Sequence, residues 1–578
     1  MLRLRLVFLL ILLILVSMTL IAAESTWRLA PVNPEFTRFI QTRSLQRLDL
    51  GGIDPYLSHP LPSPLDLSHL APTATLMDFP RKFDLRELDR MPVIQDQDGY
   101  PACQAFATMG MLESMLLPHE ILDLSEWHIY RYHGFDYHNE YGDYTGGNWQ
   151  MNAAYLLRWS GPVDEKDSPY GSGDDPDALH LPLLKHIQDM RFFSARKDGL
   201  DNQAVKRYLM EHGAFYASIF FESGSYNSST ASHYYSGGPN ANHGVVVVGW
   251  DDDYDRLRFL DIPPQNGAFI LRNSWGGQWG HRGYFYMSYF DAGFTPRIGV
   301  TQLGEVDNYA RLYQYDPLGA ISMLGGVSRH GWGCNVFEAE EPGELSAVGF
   351  YLLDVNSAFT IRVYRHLRGQ DPAGGSLFLE QEGERTHAGF VTVPLEITVP
   401  LAEGERFGVA VHFRTPNTSY PIPVEYAVEG YSSAATASPG QSFVSHDGGE
   451  WHDLTTIVPH ANACIKAYTA FRSPLEASLS ARVRFAEGWI FSYPYVSVTG
   501  NVDPAGLEVA SAYLYCRVNG RQTVKVHEIP VSSLSGNGFE WFDTLVAAGN
   551  HYAYQVRCFG PDGRFLGRSD WVEVEVEQ

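Results

Sequence analysis

The chain has 578 residues, which is too long for one hydrophobic core and predicts three or four domains. With 44% hydrophobic, 13% aromatic and 19% charged residues, the composition is that of a folded protein and excludes a disordered one. The 42 basic and 67 acidic residues give a net charge of −25, which argues against nucleic acid as the main partner.

Residues 1–23 have the organisation of a secretory signal peptide. Arg3 and Arg5 precede an apolar run over residues 6–21, and the small residues Ala22 and Ala23 follow it. We therefore predict export, with the protein extracellular or at the cell surface. The apolar run is long for a signal peptide, so an uncleaved anchor is the alternative, and a membrane is a predicted partner only in that case.

Residues 24–78 are rich in proline, which argues against a regular helical domain. The prolines are Pro31, Pro34, Pro55, Pro60, Pro62, Pro64 and Pro72. The position of the segment, directly before the first domain, predicts a propeptide that lies along the active-site cleft until it is cleaved. The alternative is a linker between the signal and the domain.

Cys103 stands where loop residues 97–102 give way to the apolar run 105–112, which is typical of the start of a buried helix. The positive end of a helix dipole favours thiolate over thiol, and the thiolate is the nucleophile. This position predicts a reactive cysteine.

Two strand-like segments downstream offer a base and a residue to orient it. His243 opens a β-branched run over 245–248, and Asn273 follows the apolar segment 268–271 at the start of a glycine-rich turn. The interval from Cys103 to His243 is 243 − 103 = 140 residues, within the roughly 130–150 residues expected downstream of a papain-type nucleophile.

Several segments between residues 79 and 300 resemble the papain-like cysteine peptidases. Residues 79–86 are similar to the mature amino terminus of that family, and Leu124-Ser125-Glu126 to its L-S-E segment. The sequence Asn273-Ser274-Trp275-Gly276 matches the family's N-S-W-G signature. The resemblance implies a two-lobed α+β catalytic domain over 79–300 and peptide-bond hydrolysis of proteins or peptides.

The same resemblance implies a role for each matching residue. Cys103, His243 and Asn273 would form the catalytic triad, and Trp275 would shield the bond between the histidine and the asparagine from water. Gln97, six residues before the cysteine, falls where the family places its oxyanion-hole glutamine. Gly146 and Gly147 resemble its substrate-lining glycine pair, which lets a substrate strand lie close to the backbone.

Two positions depart from the family pattern. The residue after the nucleophile is Gln104 where the family usually has tryptophan, and Tyr100 stands where a cysteine usually forms a disulfide. Gln104 motivates an alternative function, in which the domain is catalytically silent and the protein acts in adhesion or carbohydrate binding. The retained catalytic residues favour an active endopeptidase made as a zymogen.

Alternating strand patterns follow the first domain. Residues 305–470 predict a β-sandwich, and the region around Ala347 to Tyr351 resembles the lectin-like domain that follows the peptidase in some prokaryotic surface proteins. Residues 472–578 predict a second, immunoglobulin-like β-sandwich. Cell-surface glycans or proteins are the predicted partners of these domains.

Five cysteines in an exported protein leave one thiol unpaired, and we expect that one to be Cys103. Cys516 and Cys558 lie on the apolar faces of two alternating segments, which favours a disulfide between them. A second disulfide between Cys334 and Cys464 is the remaining pairing. We predict no catalytic metal and no organic cofactor, although calcium in the β domains is compatible with export. The histidines at 128, 133 and 138 lack a ligand motif.

Overall fold

The structure is a computed structural model. It describes residues 27–45, 62–70, 78–136, 146–238, 241–369, 371–470, 476–487, 492–503, 508–519, 522–534, 538–561, 563 and 565–576. The predicted signal peptide lies outside these residues, as do residues 24–26, 46–61 and 71–77 of the predicted propeptide. No helix within the described ranges is long and apolar enough to cross a membrane.

The helices of the described residues lie in the first half of the chain, apart from short 3₁₀ turns. The α-helices are α1 Pro34–Leu45, α2 Cys103–Leu116, α3 Glu126–Tyr132, α4 Trp149–Leu157 and α5 Gln203–Glu211. The 3₁₀ helices are Leu85–Leu88, Ala178–His180, Ser223–Ser225, Arg256–Arg258, Leu454–Thr456 and Val531–Ser533.

Strands dominate the remainder. The first ten are β1 Arg28–Leu29, β2 Lys82–Asp84, β3 His186–Phe192, β4 Phe215–Ile219, β5 Tyr226–Asn227, β6 Ser232–His233, β7 His243–Asp251, β8 Ala268–Arg272, β9 Tyr284–Ser288 and β10 Thr295–Gly304. The next thirteen are β11 Tyr309–Tyr313, β12 Ser322–Gly325, β13 His330–Glu338, β14 Gly343–Leu352, β15 Ser357–Arg365, β16 Ser376–Arg385, β17 Gly389–Leu401, β18 Arg406–Arg414, β19 Ile422–Glu425, β20 Ser442–Ser445, β21 His452–Asp453, β22 Asn462–Ala463 and β23 Ile465–Ala470. The last eight are β24 Glu476–Glu487, β25 Ser492–Asp503, β26 Ser511–Val518, β27 Gln522–Ile529, β28 Phe539–Asp543, β29 Asn550–Phe559, β30 Phe565–Arg568 and β31 Val572–Val576.

Helix α2 is the central helix of the first domain. Its residues from Cys103 to Ser114 are all buried, and it lies against β7, whose residues are buried up to Trp250. The run from Ala105 to Leu112 makes the helix apolar on every side, so the helix has to be covered on every side. Helices α3 and α4 cover it from the other side.

One sheet runs from the first domain into the second. Its strand order is β11-β23-β14-β17-β3-β10-β4-β7-β8-β9-β6-β5, with β2 paired to β7. Strands β17 and β3 join the two domains, because Gly389 lies opposite Arg191 and Phe390 opposite Met190. The core around this pair contains residues of both domains.

The second domain is a β-sandwich. A six-stranded sheet of order β16-β15-β18-β13-β20-β21 faces strands β14, β17 and β23 of the long sheet, and a four-stranded sheet of order β1-β12-β19-β22 borders it. The third domain contains a sheet of order β24-β25-β28 and a five-stranded sheet of order β27-β26-β29-β30, in which β31 also pairs with β29. These findings confirm the predicted fold class.

The N-terminal segment, residues 27–45 and 62–70, contacts both of the first two domains. Strand β1 pairs with β12 of the sandwich. Pro34, which we counted as a helix breaker, is the first residue of α1, where its missing N–H costs nothing, and Asn33 accepts a hydrogen bond from the backbone N–H of Glu35. Phe36 packs edge-on against Tyr431 at 5.2 Å between ring centroids.

Both predicted disulfides are wrong, because all five cysteines are free thiols. Cys516 lies opposite Tyr554, and Cys558 lies opposite Ala512 in the same pair of neighbouring strands. The two cysteines are therefore offset by four residues, about 13 Å along the strand, which is beyond the reach of a disulfide.

The pairing of Cys334 with Cys464 fails because of the direction of the side chain in β13. Asn335 donates hydrogen bonds to the carbonyl oxygens of Ala463 and Ile465, so this side of β13 faces β22 and β23. Successive side chains of a strand point to opposite faces, so Cys334 points away from Cys464. Burial raises the pKa of both thiols.

Candidate active site

Helix α2 begins at Cys103, as the sequence predicts. The thiol is buried, and the preceding residue, Ala102, offers no side chain to cap the helix. The first turn of α2 contains no acidic residue, so no side-chain charge in that turn opposes the positive end of the dipole. The position suits a thiolate.

His243 and Asn273 are brought together by two neighbouring strands, β7 and β8. His243 is the first residue of β7, and Asn273 directly follows the last residue of β8. The Nε2 atom of His243 lies 2.7 Å from Oδ1 of Asn273. Because an amide oxygen only accepts, Nε2 carries the proton, and Nδ1 is left as the basic nitrogen.

The sulfur of Cys103 lies beside the residue that follows the histidine. The backbone N–H of Gly244 donates a hydrogen bond to Cys103 Sγ at 3.4 Å. The Nδ1 atom of His243 is buried and has no hydrogen-bond partner among the described residues. The structure therefore brings together the three residues of the predicted triad, which are 30 to 170 positions apart in the chain.

Trp275 covers the bond between His243 and Asn273. Its ring stacks on the imidazole at 4.6 Å between centroids, with an interplanar angle of 27°. Phe221 and Trp279 in turn pack edge-on against Trp275 at 4.9 and 5.0 Å. These rings form an aromatic wall over the histidine, and the shielding role that the resemblance implies for Trp275 stays a prediction.

Burial determines whether His243 carries a proton on both ring nitrogens in this structure. It lowers the pKa of His243 to about 4, while the hydrogen bond to Asn273 acts in the opposite direction. An imidazolium here therefore needs a counter-charge in contact with it, and a thiolate at Cys103 would provide one.

Gln97 is held beside the cysteine by residues of both lobes. Its backbone N–H donates to the carbonyl oxygen of Ser274 at 2.8 Å, and its Oε1 accepts from the Ser274 hydroxyl at 2.7 Å. Its Nε2 donates to the carbonyl oxygen of Tyr100 at 2.8 Å. Because the oxygen is fixed by Ser274, the amide presents its nitrogen, which has a second N–H to offer.

Gly146 and Gly147 lie at the start of α4, next to the residue that departs from the family pattern. Gly146 has a φ of 109°, which favours glycine. At Gly147 a Cβ would lie 2.9 Å from Nε2 of Gln104, so the two residues fit together only because Gly147 has no side chain. The Oε1 atom of Gln104 is buried without a hydrogen-bond partner.

Tyr100, the second departure, replaces the usual disulfide by aromatic packing. Its ring is edge-on to Trp127 at 5.0 Å and to Tyr170 at 5.7 Å. The Tyr170 hydroxyl donates to the carbonyl oxygen of Gln97 at 2.8 Å. The loop that precedes Cys103 is therefore supported without a covalent bond.

Sequence analysis missed Ser274 and Tyr170 as supports of Gln97. Ser274 lies inside the N-S-W-G signature, but the signature gives no role to this polar residue next to Asn273. Tyr170 lies in a loop with no pattern that singles it out, and only the fold brings it to Gln97. Neither would touch a substrate, so each is a positioning residue.

The described residues hold no group of three or more His, Cys, Asp or Glu side chains arranged to bind a metal ion. His128 has ordinary protein partners, with Nδ1 2.6 Å from the Tyr155 hydroxyl and Nε2 2.9 Å from the carbonyl oxygen of Ala178. His138 lies outside the described residues. The predictions on cofactors and calcium remain predictions.

A cysteine at the start of a buried helix, facing a histidine and an asparagine on a sheet, defines a papain-type arrangement. In agreement, residues 79–295 match the model of the papain family cysteine proteases, and residues 312–469 match the model of the lectin like domain. The chain thus carries a papain family cysteine protease domain followed by a lectin-like domain, which confirms the predicted resemblance.

Curated relatives match the first of these domains. A probable cysteine protease, RD19C of Arabidopsis thaliana, is 28% identical over 239 residues, which are 39% of this chain and 60% of the relative. Cathepsin K of Gallus gallus is 26% identical over 216 residues, 36% of this chain and 59% of the relative. The match thus spans about three fifths of the length of these relatives.

A solved structure is similar over both domains. It comprises the cysteine protease and lectin-like domains of Cwp84, a surface layer associated protein of Clostridium difficile. The TM-score is 0.66 at 21% sequence identity, and the match covers 78% of this chain and 99% of that one. At this identity the likeness concerns the fold.

Proposed function

We propose that this protein is an exported papain-like cysteine endopeptidase that hydrolyses peptide bonds of protein substrates. The observation that carries the proposal is the convergence of Cys103, His243 and Asn273, supported by the family match over residues 79–295. The proton on His243 Nε2 is held by Asn273, which leaves Nδ1 to act as the base.

The reaction would begin with transfer of the Cys103 proton to His243 Nδ1. The thiolate attacks the carbonyl carbon of the scissile bond, and the carbonyl oxygen becomes an oxyanion. When that intermediate collapses, the C–N bond breaks and the imidazolium gives its proton to the leaving amine. Water then attacks the thioester, His243 takes a proton from the water, and the acid product and the free thiol are released.

Gln97 and the start of α2 would stabilise the oxyanion. The backbone N–H of Cys103 lies in the first turn of α2, and Gln97 Nε2 has an N–H besides the one that Tyr100 accepts. Replacing Gln97 by alanine should lower kcat about 10²- to 10³-fold. Gln95→Ala, two residues away, is the control and should lower it less than threefold.

The decisive test is peptide hydrolysis under reducing conditions by wild type and Cys103→Ala. We expect the variant to lose activity about 10⁴-fold or more. A thiol-directed epoxide should label Cys103 in the wild type and not in His243→Ala, because the thiolate depends on the histidine. A Cys103→Ala protein with unchanged turnover would refute the mechanism.

Synthesis as a zymogen is the second part of the proposal. The N-terminal segment is anchored to the protease domain, because the Ser63 hydroxyl donates to Gln150 Oε1 in α4, just after the glycine pair. We expect a chain lacking residues 24–78 to hydrolyse peptides without a lag, and the full chain to do so only after cleavage of this segment. Equal activity of the two forms would exclude inhibition by residues 24–78.

A location at the cell surface fits both the predicted signal peptide and the similarity to a surface layer associated protein. The β domains would position the enzyme there through glycans or proteins. The alternative, a silent domain serving adhesion, is favoured by the buried and unpartnered Oε1 of Gln104. Glycan binding by the protein without labelling of Cys103 or turnover would support that alternative.

A further inference from the structure

Ser218 in β4, Gly244 in β7 and Arg297 in β10 lie close together next to the triad, and we call the space between them the recess. Ser218 in β4 is opposite Gly244 in β7, and Gly244 follows His243 and contacts Cys103. Opposite residues of an antiparallel pair face the same side of the sheet, so Ser218 shares a face with Gly244. Tyr216, two residues away on that face of β4, is close enough to Cys103 for the two groups to interact electrostatically. A Cβ at Gly244 would lie 2.7 Å from the Tyr216 hydroxyl, and its absence leaves the recess open.

Arg297 brings a positive charge to this recess. It lies in β10, between Pro296 opposite Ala217 and Ile298 opposite Tyr216, where the register shifts. Its Nε donates to the Ser218 hydroxyl at 3.2 Å. Across the described residues no carboxylate forms an ion pair with Arg297, and no other hydrogen bond of its guanidinium occurs there.

The charge of Arg297 is poorly compensated. Burial lowers the pKa of Arg297, and the groups that act in the opposite direction are Glu35 and Tyr216. Burial raises the pKa of Tyr216 well above its usual value, so its hydroxyl stays neutral and supplies no counter-charge. Arg297 is only partly buried and no carboxylate contacts it, so its remaining guanidinium N–H groups are open to an anion that enters from outside.

The carboxylate whose charge acts on Arg297 is that of Glu35, in the N-terminal segment. Glu35 lies in the first turn of α1, and the preceding Asn33 donates through Nδ2 to the carbonyl oxygen of Ser63 at 2.9 Å. Ser63 in turn binds Gln150 in α4. The segment that would be cleaved thus carries a carboxylate close enough for its charge to act on Arg297, without an ion pair between the two.

From this geometry we infer that Arg297 is a specificity-determining residue, which makes the enzyme select substrates with an acidic side chain close to the cleaved bond. The inference rests on the proposed peptidase function and adds the substrate class. A substrate strand along Gly146 and Gly147 would place one side chain in the recess beside Cys103. A carboxylate there can accept two hydrogen bonds from the free end of the guanidinium.

The competing explanation is that Arg297 only ties β10 to β4 through Ser218. A purely structural arginine would affect all substrates alike, because it would change the folded fraction or the position of the whole sheet. A selective arginine would change the ratio between an acidic substrate and its neutral isostere. That ratio separates the two explanations.

The test uses the full chain, processed under reducing conditions, and a set of quenched fluorescent peptides. The peptides carry Glu, Gln or Lys at each of the four positions before the cleaved bond and are otherwise identical. At one of these positions we expect kcat/KM for Glu to exceed that for Gln by about 10- to 100-fold, the range expected for hydrogen bonds to a charged group.

Variants assign the preference to the residue. Arg297→Gln should bring the Glu to Gln ratio close to 1 and leave kcat/KM for the Gln peptide within about threefold, and Arg297→Glu should favour Lys. Arg297→Lys should retain part of the preference. Arg191→Gln is the matched control, because Arg191 is a buried arginine whose charge faces Tyr208 and Glu211 instead, and it should keep the wild-type ratio.

A wild type with no preference for Glu at any position overturns the inference, even if the arginine variants do not fold. So does a preference that survives in Arg297→Gln. Turnover of neutral peptides in either case leaves the proposed function standing. Absence of turnover of every peptide, together with no labelling of Cys103, overturns the proposed function as well.

Discussion

The protease domain meets its two neighbours in different ways. It shares a continuous sheet and an apolar core with the lectin-like domain, whereas its contact with the C-terminal domain depends on ion pairs. The first junction behaves as part of one domain interior, and the second resembles an interface between separate domains.

Backbone pairing and apolar burial dominate the first junction. Strand β17 continues the sheet from β3, and Phe390 and Tyr351 of the lectin-like domain lie in the core of the protease domain. Phe390 and Tyr351 are both almost fully buried and meet edge-on at 5.0 Å. Such a junction has no hinge.

Charged groups surround the second junction. Lys525 lies 2.9 Å from Asp167 and 3.3 Å from Asp164, and Arg568 lies 2.7 Å from Asp307. Arg557 lies 3.4 Å from Glu305. The apolar part is small and includes Tyr513 and Tyr515 of the C-terminal domain, Leu183 of the protease domain and Val306, which follows that domain in the chain. The comparison teaches that the lectin-like domain shares the framework of the protease domain, while the C-terminal domain is docked onto it.

The largest expected effect concerns Gly389 in the first junction. Its φ is 148°, and a Cβ there would collide with the carbonyl oxygen of Met190 in β3. We expect Gly389→Ala to lower the free energy of unfolding by about 3 kcal/mol or more and to reduce peptide turnover with it. Chemical denaturation followed by fluorescence measures the change.

Gly404→Ala is the control for that experiment. Gly404 has a φ of 71°, but a side chain there would point into open space, so only the backbone strain of about 1 kcal/mol is expected. If Gly389→Ala costs no more than Gly404→Ala, or if the lectin-like domain unfolds in a separate step, the shared sheet does not couple the two domains.

An intermediate effect is expected at Lys525 in the second junction. Lys525→Met removes the partner of Asp164 and Asp167 and should weaken docking of the C-terminal domain by about 1–3 kcal/mol. The radius of gyration from small-angle scattering should rise, and added salt should increase the effect because screening weakens the remaining pairs.

Arg484→Met, which removes an exposed charge on β24, should leave the radius of gyration unchanged. Peptide turnover should stay within about twofold of wild type in both variants, because the contacts of Lys525 are with Asp164, Asp167 and Tyr513 and not with the triad. A Lys525→Met protein that remains compact in high salt would show that the second junction, like the first, does not depend on ion pairs.

The smallest expected effect, counted per pH unit, is a pH dependence at the first junction. Burial and the neighbouring Asp316 raise the pKa of Glu425 to about 8. A carboxyl whose pKa is raised on folding stabilises the protein fully below its ordinary pKa, and this contribution is lost as the pH rises through about 8. Between pH 5 and pH 8 the wild type should therefore lose at most about 1.4 kcal/mol per pH unit from this group.

Glu425→Gln should flatten that slope, since an amide keeps the oxygen that accepts the backbone N–H of Leu318 and does not ionise. The midpoint of thermal unfolding at pH 5, 6, 7 and 8 measures it, with Glu429→Gln as the control at an exposed acid of the same region. A variant with the wild-type slope would show that this junction does not respond to the ionisation of Glu425.

Local sequence was sufficient for the elements of the candidate site. The change from loop to apolar run places the start of α2 at Cys103, and the β-branched run after His243 places that residue at the start of a strand. The papain resemblance then predicted the neighbours of these residues correctly. Their catalytic roles remain predictions until the variants are assayed.

Features that depend on pairing between segments far apart in the chain could not be predicted from the sequence. Strands β3 and β17 are about 200 residues apart, and nothing in either segment identifies its partner. The disulfide prediction failed for the same reason, because alternation gives the face of Cys516 and Cys558 but not the register between their strands. Arg297 was missed since one arginine in an alternating strand indicates no particular neighbour.

Strand β1 has a consequence for the proposed maturation. It is the outer partner of β12, Trp27 beside it stacks on His446 at 3.9 Å, and Phe36 and Ser63 fix the segment further along. Cutting the chain after this region severs one covalent link and none of these contacts. The cleaved piece would thus persist as a bound subunit. If these contacts were later broken, its departure would uncover the edge of β12, which could then pair with a new peptide.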